Sequence, residues 1–417
     1  MLKGLSRLWM RSLVRAGKAQ QSQATKLIKN LLAKPKPKVK PKAKPRLRPV
    51  KRPAASLVSS APASKTKARA PAAQTKLKTD AGSARLPGNW LASYYSPLAD
   101  GATLAARRMS YYLYLPDRFP APPAQGQHEK EAWPLIVMLH GCEQTATQFS
   151  QGTRMNQLAE QKGYAVLYPQ QSLRAHPNRC WHWYDKATQD GGGDVTMIAG
   201  MIEKVAAKYP IDRSRIYICG MSAGAAMANI VALNHPHLIA AVGLHSGPMF
   251  GAGHNPISAY GVMQHGAHSR VGTAIAEVLH KSPAFPAMPT ILIHGQGDRI
   301  VRPINQTQLV QQCLLLNRLA AESGAPIVAK PAGRVGSRNP GRAYEIGDFY
   351  LRKKLLLRVA RIAHLEHAWS GGDGSLAFNS SAGPDASKMM LDFFARHRRI
   401  NTPPLARKAG RLVRPDA

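Results

Sequence analysis

A serine between small residues, in the sequence GMSAG (220–224), is the feature of this chain best suited to chemistry. The run RIYICG (215–220) before it is typical of a buried strand, and AAMANIVALN (225–234) after it is typical of a helix. A tight strand-to-helix turn of this form lifts the serine hydroxyl clear of the sheet. The helix N-terminus offers the N–H of Ala223 to an oxyanion. The pattern predicts Ser222 as a nucleophile.

A serine nucleophile needs a base, and the base needs an acid that orients it. With this type of serine turn, the acid follows the serine in the chain and the histidine follows the acid. Asp298 comes just after the apolar run TILIHG (290–295) and is the best acid, although it could be an ordinary turn aspartate. The weaker acids follow no clear strand directly or precede the serine: Asp348, Asp373, Asp385, Asp392, Asp190 and Asp194.

Three histidines follow Asp298 and could serve as the base. His397 stands in the basic C-terminal region, and His364 ends an apolar strand, where a packed residue is expected. His367 lies a few residues later in LEHAWSGGD, whose glycines indicate a loop, the usual place for a catalytic residue. We therefore predict His367 as the base.

A second oxyanion donor is expected in the loop after the third strand. The sequence HGCEQ (140–144) occupies that place, and the backbone N–H of Cys142 is the candidate donor. Its side chain could instead be a half-cystine or a small core residue. Trp181, Trp183 and Trp369 could form an apolar wall for the substrate, or they could be ordinary core aromatics.

Apolar runs typical of strands alternate with helical segments from about residue 86 onward. This alternation predicts a parallel sheet with helices on both faces, an α/β fold. The predicted strands are 109–116, 134–141, 164–169, 215–220 and those in LIAAVGLHSG, TILIHG and LLLRVARIAH, and the predicted helices include 153–162, 194–210 and 303–323.

The charge of the chain is strongly uneven. Lys and Arg total 58 against 22 Asp and Glu, and residues 1–86 alone hold 23 basic residues and one acid, a net charge of +22. Residues 1–33 have the pattern of a basic amphipathic helix, and 34–86 form a Lys/Pro/Ala-rich linker that should be disordered. The catalytic domain is expected over 87–396, and a basic flexible tail over 397–417. Residues 1–86, here called the basic arm, could bind an anionic surface, a granule or nucleic acid.

No apolar run is long enough to span a membrane, and residues 1–17 lack the continuous apolar core of a signal peptide. On this ground alone the expected location is the cytoplasm. The four cysteines form no C-x-x-C pair, and Cys219 and Cys313 stand in apolar runs as expected of buried thiols. We find no metal-binding set, dinucleotide loop or P-loop, so no cofactor is expected.

Seven motifs occur in an order that resembles the polyhydroxybutyrate (PHB) depolymerase family of esterases: LHGCEQTATQF, YAVLYPQQS, NRCWHWY, GGGDVTMI, YICGMSAGAAMAN, HSG and HAWSGGD. The resemblance covers residues 88–396. It implies an α/β-hydrolase fold and the hydrolysis of short-chain hydroxyalkanoate esters, including polyesters. It also implies a triad of Ser222, Asp298 and His367, with a backbone oxyanion contact from Cys142.

The resemblance leaves three questions open. Relatives include feruloyl and acetyl-xylan esterases, so the acyl group is not settled. Many relatives are secreted, which implies an extracellular location and conflicts with the missing signal peptide. Cys142 and Cys180 both fall in motifs expected near the site and could form a disulfide, although such bonds are rare in the cytoplasm.

A rival hypothesis of another class is a binding protein that docks through its basic arm.

Overall fold

The computed structural model describes residues 86–97, 108–117, 132–318, 330–331, 343–351 and 353–399. The predicted basic helix over 1–33 and nearly all of the predicted linker over 34–86 lie outside the described residues, as does the tail beyond Arg399. The arm and the partners assigned to it therefore stay predictions. Within the described residues, no helix is both long enough and apolar enough to cross a membrane.

Ten strands of the described chain form one sheet in the order β1-β2-β4-β3-β5-β6-β7-β10-β9-β8. The six central strands, from β4 to β10 in that order, run parallel, and the strands at both edges run antiparallel. The strands are β1 (Asn89–Tyr95), β2 (Met109–Leu115), β3 (Trp133–Leu139), β4 (Ala165–Gln170), β5 (Ile211–Met221), β6 (Ala241–His245), β7 (Thr290–Gly295), β8 (Lys330–Pro331), β9 (Tyr344–Leu351) and β10 (Lys354–Ile362), with a small separate pair of β11 (Trp369–Ser370) and β12 (Asn379–Ser380).

Helices cover both faces of this sheet, which confirms the predicted fold class. Alternate residues of a strand point to opposite faces, so Ile136 and Val137 of β3 belong to two different apolar clusters. Helices α4, α5 and α8 contribute to the first cluster, and α1, α2 and α9 to the second. The described helices are α1 (Ala146–Thr153), α2 (Met155–Lys162), α3 (Lys186–Gln189), α4 (Asp194–Lys208), α5 (Ala223–Asn234), α6 (Pro256–His265), α7 (Val271–Lys281), α8 (Ile304–Leu316) and α9 (Ala386–Phe394), with a 3₁₀ turn at His268–Arg270.

The structure differs from the predicted elements in several places. The helix predicted over 153–162 begins at Met155, because Arg154 takes a left-handed conformation (φ 54°) that separates α2 from α1, a helix that had not been predicted. The helix predicted from 303 ends at Leu316 rather than at 323. Strands β1 and β9, at or near the edges of the sheet, had no clear signal in the sequence, because their buried and exposed residues do not alternate regularly.

The described chain stays packed beyond 396, the predicted end of the domain. The Tyr217 hydroxyl donates a hydrogen bond of 2.7 Å to the carbonyl of His397, and the N–H of Arg399 donates to the carbonyl of Ser214. The His397 side chain is buried, and neither ring nitrogen has a hydrogen-bond partner among the described residues. Burial, with Lys354 and Arg396 nearby, lowers the pKa of His397 to about 4.

This buried histidine should make stability depend on pH. The unfolded chain takes up a proton at His397 near pH 6.5, whereas the folded chain does so only near the folded pKa of about 4. The unfolded state therefore binds more protons between these values, so the free energy of unfolding should fall as the pH drops from 6.5 to 4, by roughly 1–3 kcal/mol from this residue. Denaturant titrations should show a shallower fall for His397→Gln, and an unchanged slope for the control His364→Gln at an exposed site. Equal slopes in all three proteins would contradict the assignment.

Candidate active site

The turn between β5 and α5 places Ser222 in a conformation that serine rarely adopts, with φ 56° and ψ −123°. Such a backbone costs on the order of 1–3 kcal/mol and persists only where its surroundings hold it. The N–H of Ser222 donates to the carbonyl of His245 at the end of β6, over 3.0 Å. Neighbouring glycines allow the close packing: a Cβ on Gly224 would lie 2.1 Å from the carbonyl oxygen of Leu139, and one on Gly220 would lie 2.6 Å from it.

Asp298 and His367 meet although 69 residues separate them in the chain. Asp298 lies three residues beyond β7, and its Oδ2 is 2.8 Å from Nδ1 of His367. The other carboxylate oxygen accepts the N–H groups of Ile300 and Val301, each at 2.9 Å. Burial raises the pKa of Asp298, but His367, His294 and the N–H of Val301 outweigh it and hold the pKa below its ordinary value. An ionised carboxylate can only accept a hydrogen bond, so Nδ1 of His367 carries the proton that it donates to Asp298.

The serine turn and the histidine loop are joined through His245. Its carbonyl holds the N–H of Ser222, while its ring nitrogen Nε2 accepts the N–H of Ser370 at 3.3 Å. Trp369 stacks on the same ring, with centroids 5.0 Å apart. The structure shows no hydrogen bond between the hydroxyl of Ser222 and the ring of His367. Catalytic hydrogen bonds of this kind often tighten only when substrate binds.

The loop after β3 lies beside the serine turn. A Cβ on Gly141 would lie 3.6 Å from Cβ of Ser222. Cys142 forms a disulfide with Cys180, and the N–H of Glu143 donates to the carbonyl of Asn178, over 2.7 Å. Among the described residues, the N–H of Cys142 has no hydrogen-bond partner, so it is available to a ligand.

The structure corrects the predicted substrate wall at two of its three tryptophans. Trp181 and Trp369 are fully buried, so their side chains present no surface to a ligand, whereas Trp183, which is 5% exposed, stays a prediction. Each of the first two uses its indole N–H internally: Trp181 donates to the carbonyl of His140, and Trp369 to the hydroxyl of Ser387. They serve as core residues that hold the loops around Ser222.

The competing candidates have other surroundings. His364 is exposed in a turn (φ 58°), so the expectation that it is packed in the core is wrong. Cys219 and Cys313 are buried, as predicted. The other aspartates form contacts away from the serine: Asp348 with Arg358, Asp385 at the N-cap of α9, Asp392 with Lys162 and Lys388, Asp373 with Ser375, Asp190 with Lys186 and Lys281, and Asp194 with Gln171 and His182.

Three histidines at the ends of parallel strands were not singled out from the sequence. His140 directly follows β3, His245 is the last residue of β6, and His294 is the last but one of β7. All three are buried. The Nε2 of His294 donates to the carbonyl of Val301 at 2.7 Å and lies 3.6 Å from Oδ2 of Asp298. The repeated pattern of an apolar strand followed by His and then Gly or Ser (LHG, LHS and IHG) is the signal that could have found them.

The family model described as "Esterase PHB depolymerase" matches residues 109–335. The chain belongs to this esterase family. The match spans the serine turn, the Cys142 loop and Asp298, and ends before the His367 loop. Within the described residues, no group of three or more His, Cys, Asp or Glu side chains could hold a metal ion.

Curated relatives in this esterase family carry several names. The chain is 30% identical over 182 residues to poly(3-hydroxyalkanoate) depolymerase C of Paucimonas lemoignei, covering 43% of this chain and 44% of the relative. It is 29% identical over 210 residues to a probable acetylxylan esterase A of Neosartorya fischeri, covering 48% of this chain and 54% of the relative. It is 36% identical over 140 residues to feruloyl esterase B of Neurospora crassa, covering 33% of this chain and 43% of the relative. The chain thus spans about half the length of the curated relatives it matches.

A solved structure supports the fold. The acetyl xylan esterase from Aspergillus awamori matches with a TM-score of 0.50 at 18% identity, over 73% of this chain and 98% of that one. At this identity the likeness speaks to the fold alone. It agrees with the α/β-hydrolase architecture that the sequence motifs imply.

Proposed function

We propose that this protein is a serine carboxylic ester hydrolase in which Ser222, His367 and Asp298 form the catalytic triad. The buried hydrogen bond between Asp298 and His367 carries the proposal. A carboxylate that holds a histidine by Nδ1, in a loop that His245 links to a serine on a strained strand-to-helix turn, is the arrangement expected of a group that activates a serine hydroxyl. Membership of the esterase family supports the same reaction class.

Acylation begins when the Ser222 hydroxyl attacks the ester carbonyl and passes its proton to Nε2 of His367. Asp298 stabilises the imidazolium that forms, and burial strengthens this interaction because little water screens it. The carbonyl oxygen becomes an oxyanion, which the N–H groups of Cys142 and Ala223 bind. When the tetrahedral intermediate collapses, the alcohol leaves with the proton from His367.

Deacylation repeats these steps with water as the nucleophile. His367 takes a proton from the water, which attacks the acyl group on Ser222, and the same two N–H groups hold the second oxyanion. The acid product leaves, and the proton returns to Ser222. Besides the substrate and this water, the proposed steps use side chains and backbone groups of this chain.

Short-chain hydroxyalkanoate esters are the substrates we propose. The family description and the depolymerase of Paucimonas lemoignei support them. Acetylated xylan and feruloyl esters are the alternative, supported by the acetylxylan and feruloyl esterases among the relatives. The two classes differ in the acyl group that must fit beside Ser222, and they share the chemistry of the triad.

Substitution of the triad should abolish turnover of p-nitrophenyl butyrate. Ser222→Ala and His367→Ala should each lower kcat/KM by roughly 10³-fold or more, because nucleophile and base act as a unit. His364→Ala is the matched control, since this exposed histidine lies three residues away, and it should stay close to wild type. Circular dichroism and thermal melting would verify the fold of each variant.

Two results would contradict the triad. A lethal His364→Ala beside an active His367→Ala would show that the base is the other histidine. A wild-type protein that turns over no ester, while it binds anionic vesicles or DNA, would favour the rival binding protein.

A substrate panel tests the acyl preference. We expect the highest kcat/KM for oligomers of 3-hydroxybutyrate, compared with acetylated xylo-oligosaccharides and methyl ferulate at the same enzyme concentration. Ser222→Ala measured in parallel removes any contribution from contaminating esterases. Preference for the acetyl or feruloyl substrates would reject the hydroxyalkanoate assignment and leave the triad intact.

A further inference from the structure

The peptide between Gly141 and Cys142 carries the N–H that the proposed mechanism gives to the oxyanion. The direction of this N–H is decisive, because a flipped peptide would point its carbonyl at the oxyanion instead. A peptide unit is planar and trans, so its N–H points away from its own C=O. Whatever holds the carbonyl of Gly141 therefore also aims the N–H of Cys142.

The carbonyl of Gly141 is held by the side chain of His140. The distance from Nδ1 of His140 to this oxygen is 2.8 Å. A carbonyl oxygen can only accept, so Nδ1 must carry the proton and donate it. We infer that His140 is a positioning residue that holds the Gly141–Cys142 peptide with its N–H turned toward the oxyanion. This inference rests on the proposed function of the site.

The opposite side of the ring fixes the tautomer that this role requires. Nε2 of His140 lies 3.1 Å from the backbone N of Gln171, which can only donate. Nε2 must therefore be unprotonated, and the single proton of the neutral ring stays on Nδ1. Complete burial lowers the pKa of His140 to about 4, so the ring is neutral at the pH where a serine hydrolase works.

The ring itself is held on several sides. Gln171 is anchored by its side-chain amide, which donates to the buried carboxylate of Asp194 over 2.8 Å. Trp181 donates its indole N–H to the carbonyl of His140 over 2.9 Å. The disulfide from Cys142 to Cys180 ties the far side of the peptide to the same segment. The loop therefore has its N–H orientation built before substrate arrives, which is what oxyanion stabilisation requires.

Two isosteric substitutions separate the function of each ring nitrogen. In His140→Asn, the side-chain amide nitrogen can occupy the place of Nδ1 and still donate to Gly141. In His140→Gln, the amide can occupy the place of Nε2 and accept from Gln171, but no donor remains at the Nδ1 position. A residue that merely fills the core would respond to both substitutions in the same way.

We expect the loss in kcat to depend on whether the new side chain can still donate a hydrogen bond to the carbonyl of Gly141. With p-nitrophenyl butyrate, His140→Gln should lower kcat by roughly 10- to 100-fold, short of the 10²–10³ for complete loss of an oxyanion donor. His140→Asn should recover most of that loss. KM should stay within about twofold in both, because the ester oxygen gains its negative charge only in the transition state. Affinity for a trifluoromethyl ketone, which forms an oxyanion adduct, should fall in step with kcat.

Active-site titration with a fluorophosphonate corrects kcat for misfolded protein. The inference is overturned if His140→Asn is no better than His140→Gln, or if the loss appears in KM instead of kcat. The tautomer of wild-type His140, read from ¹⁵N-histidine NMR, is a test that needs no variant: protonation at Nε2, or titration between pH 5 and 9, would also overturn it. Wild-type protein without any esterase turnover would instead reject the proposed function, so the two failures are distinguishable.

Discussion

The strained backbone of Ser222 is the constraint on which the other parts of the site depend. Its positive φ cannot persist without support, and the support comes from three strands at once. Strand β5 leads into the turn, the carbonyl of Leu139 at the end of β3 approaches within contact of Gly224, and the carbonyl of His245 at the end of β6 accepts the serine N–H. Because these strands are parallel neighbours, their carboxyl ends meet at one edge of the sheet, where the loops of the candidate site also begin.

Buried neutral histidines connect those strand ends to the loops beyond them. His140 donates to Gly141, His294 donates to Val301, and His245 accepts from Ser370. Burial lowers the pKa of all three, to about 4 for His140 and about 3 for His245, so each ring stays neutral. A neutral imidazole offers one donor and one acceptor on a rigid ring, which lets it fix a loop without placing a second charge beside Asp298. The Oδ2 of Asp298 is thus left to pair with His367.

Much of the fold could be predicted from the sequence, because buried parallel strands are continuous apolar runs and the helices between them are long. The serine turn, Asp298 and His367 could be nominated as well, since each stands in a short motif next to a strand end. The tryptophans show why other features of the site could not be predicted. An aromatic residue near a catalytic motif can face the ligand or the core, and only the packing around Trp181 and Trp369 decides that both are core. The exposure of His364 and the separation of α1 from α2 at Arg154 likewise depend on left-handed backbone conformations that the residue types do not predict.

The central claim is that the hydroxyl of Ser222 is the nucleophile, and covalent labelling tests it most directly. A fluorophosphonate reacts with an activated serine and leaves a stable adduct that peptide mass spectrometry can locate. The account predicts one adduct per chain, on the peptide that contains Ser222, with loss of esterase turnover in proportion to labelling. An adduct on a different serine, or full turnover after complete labelling of Ser222, would contradict it.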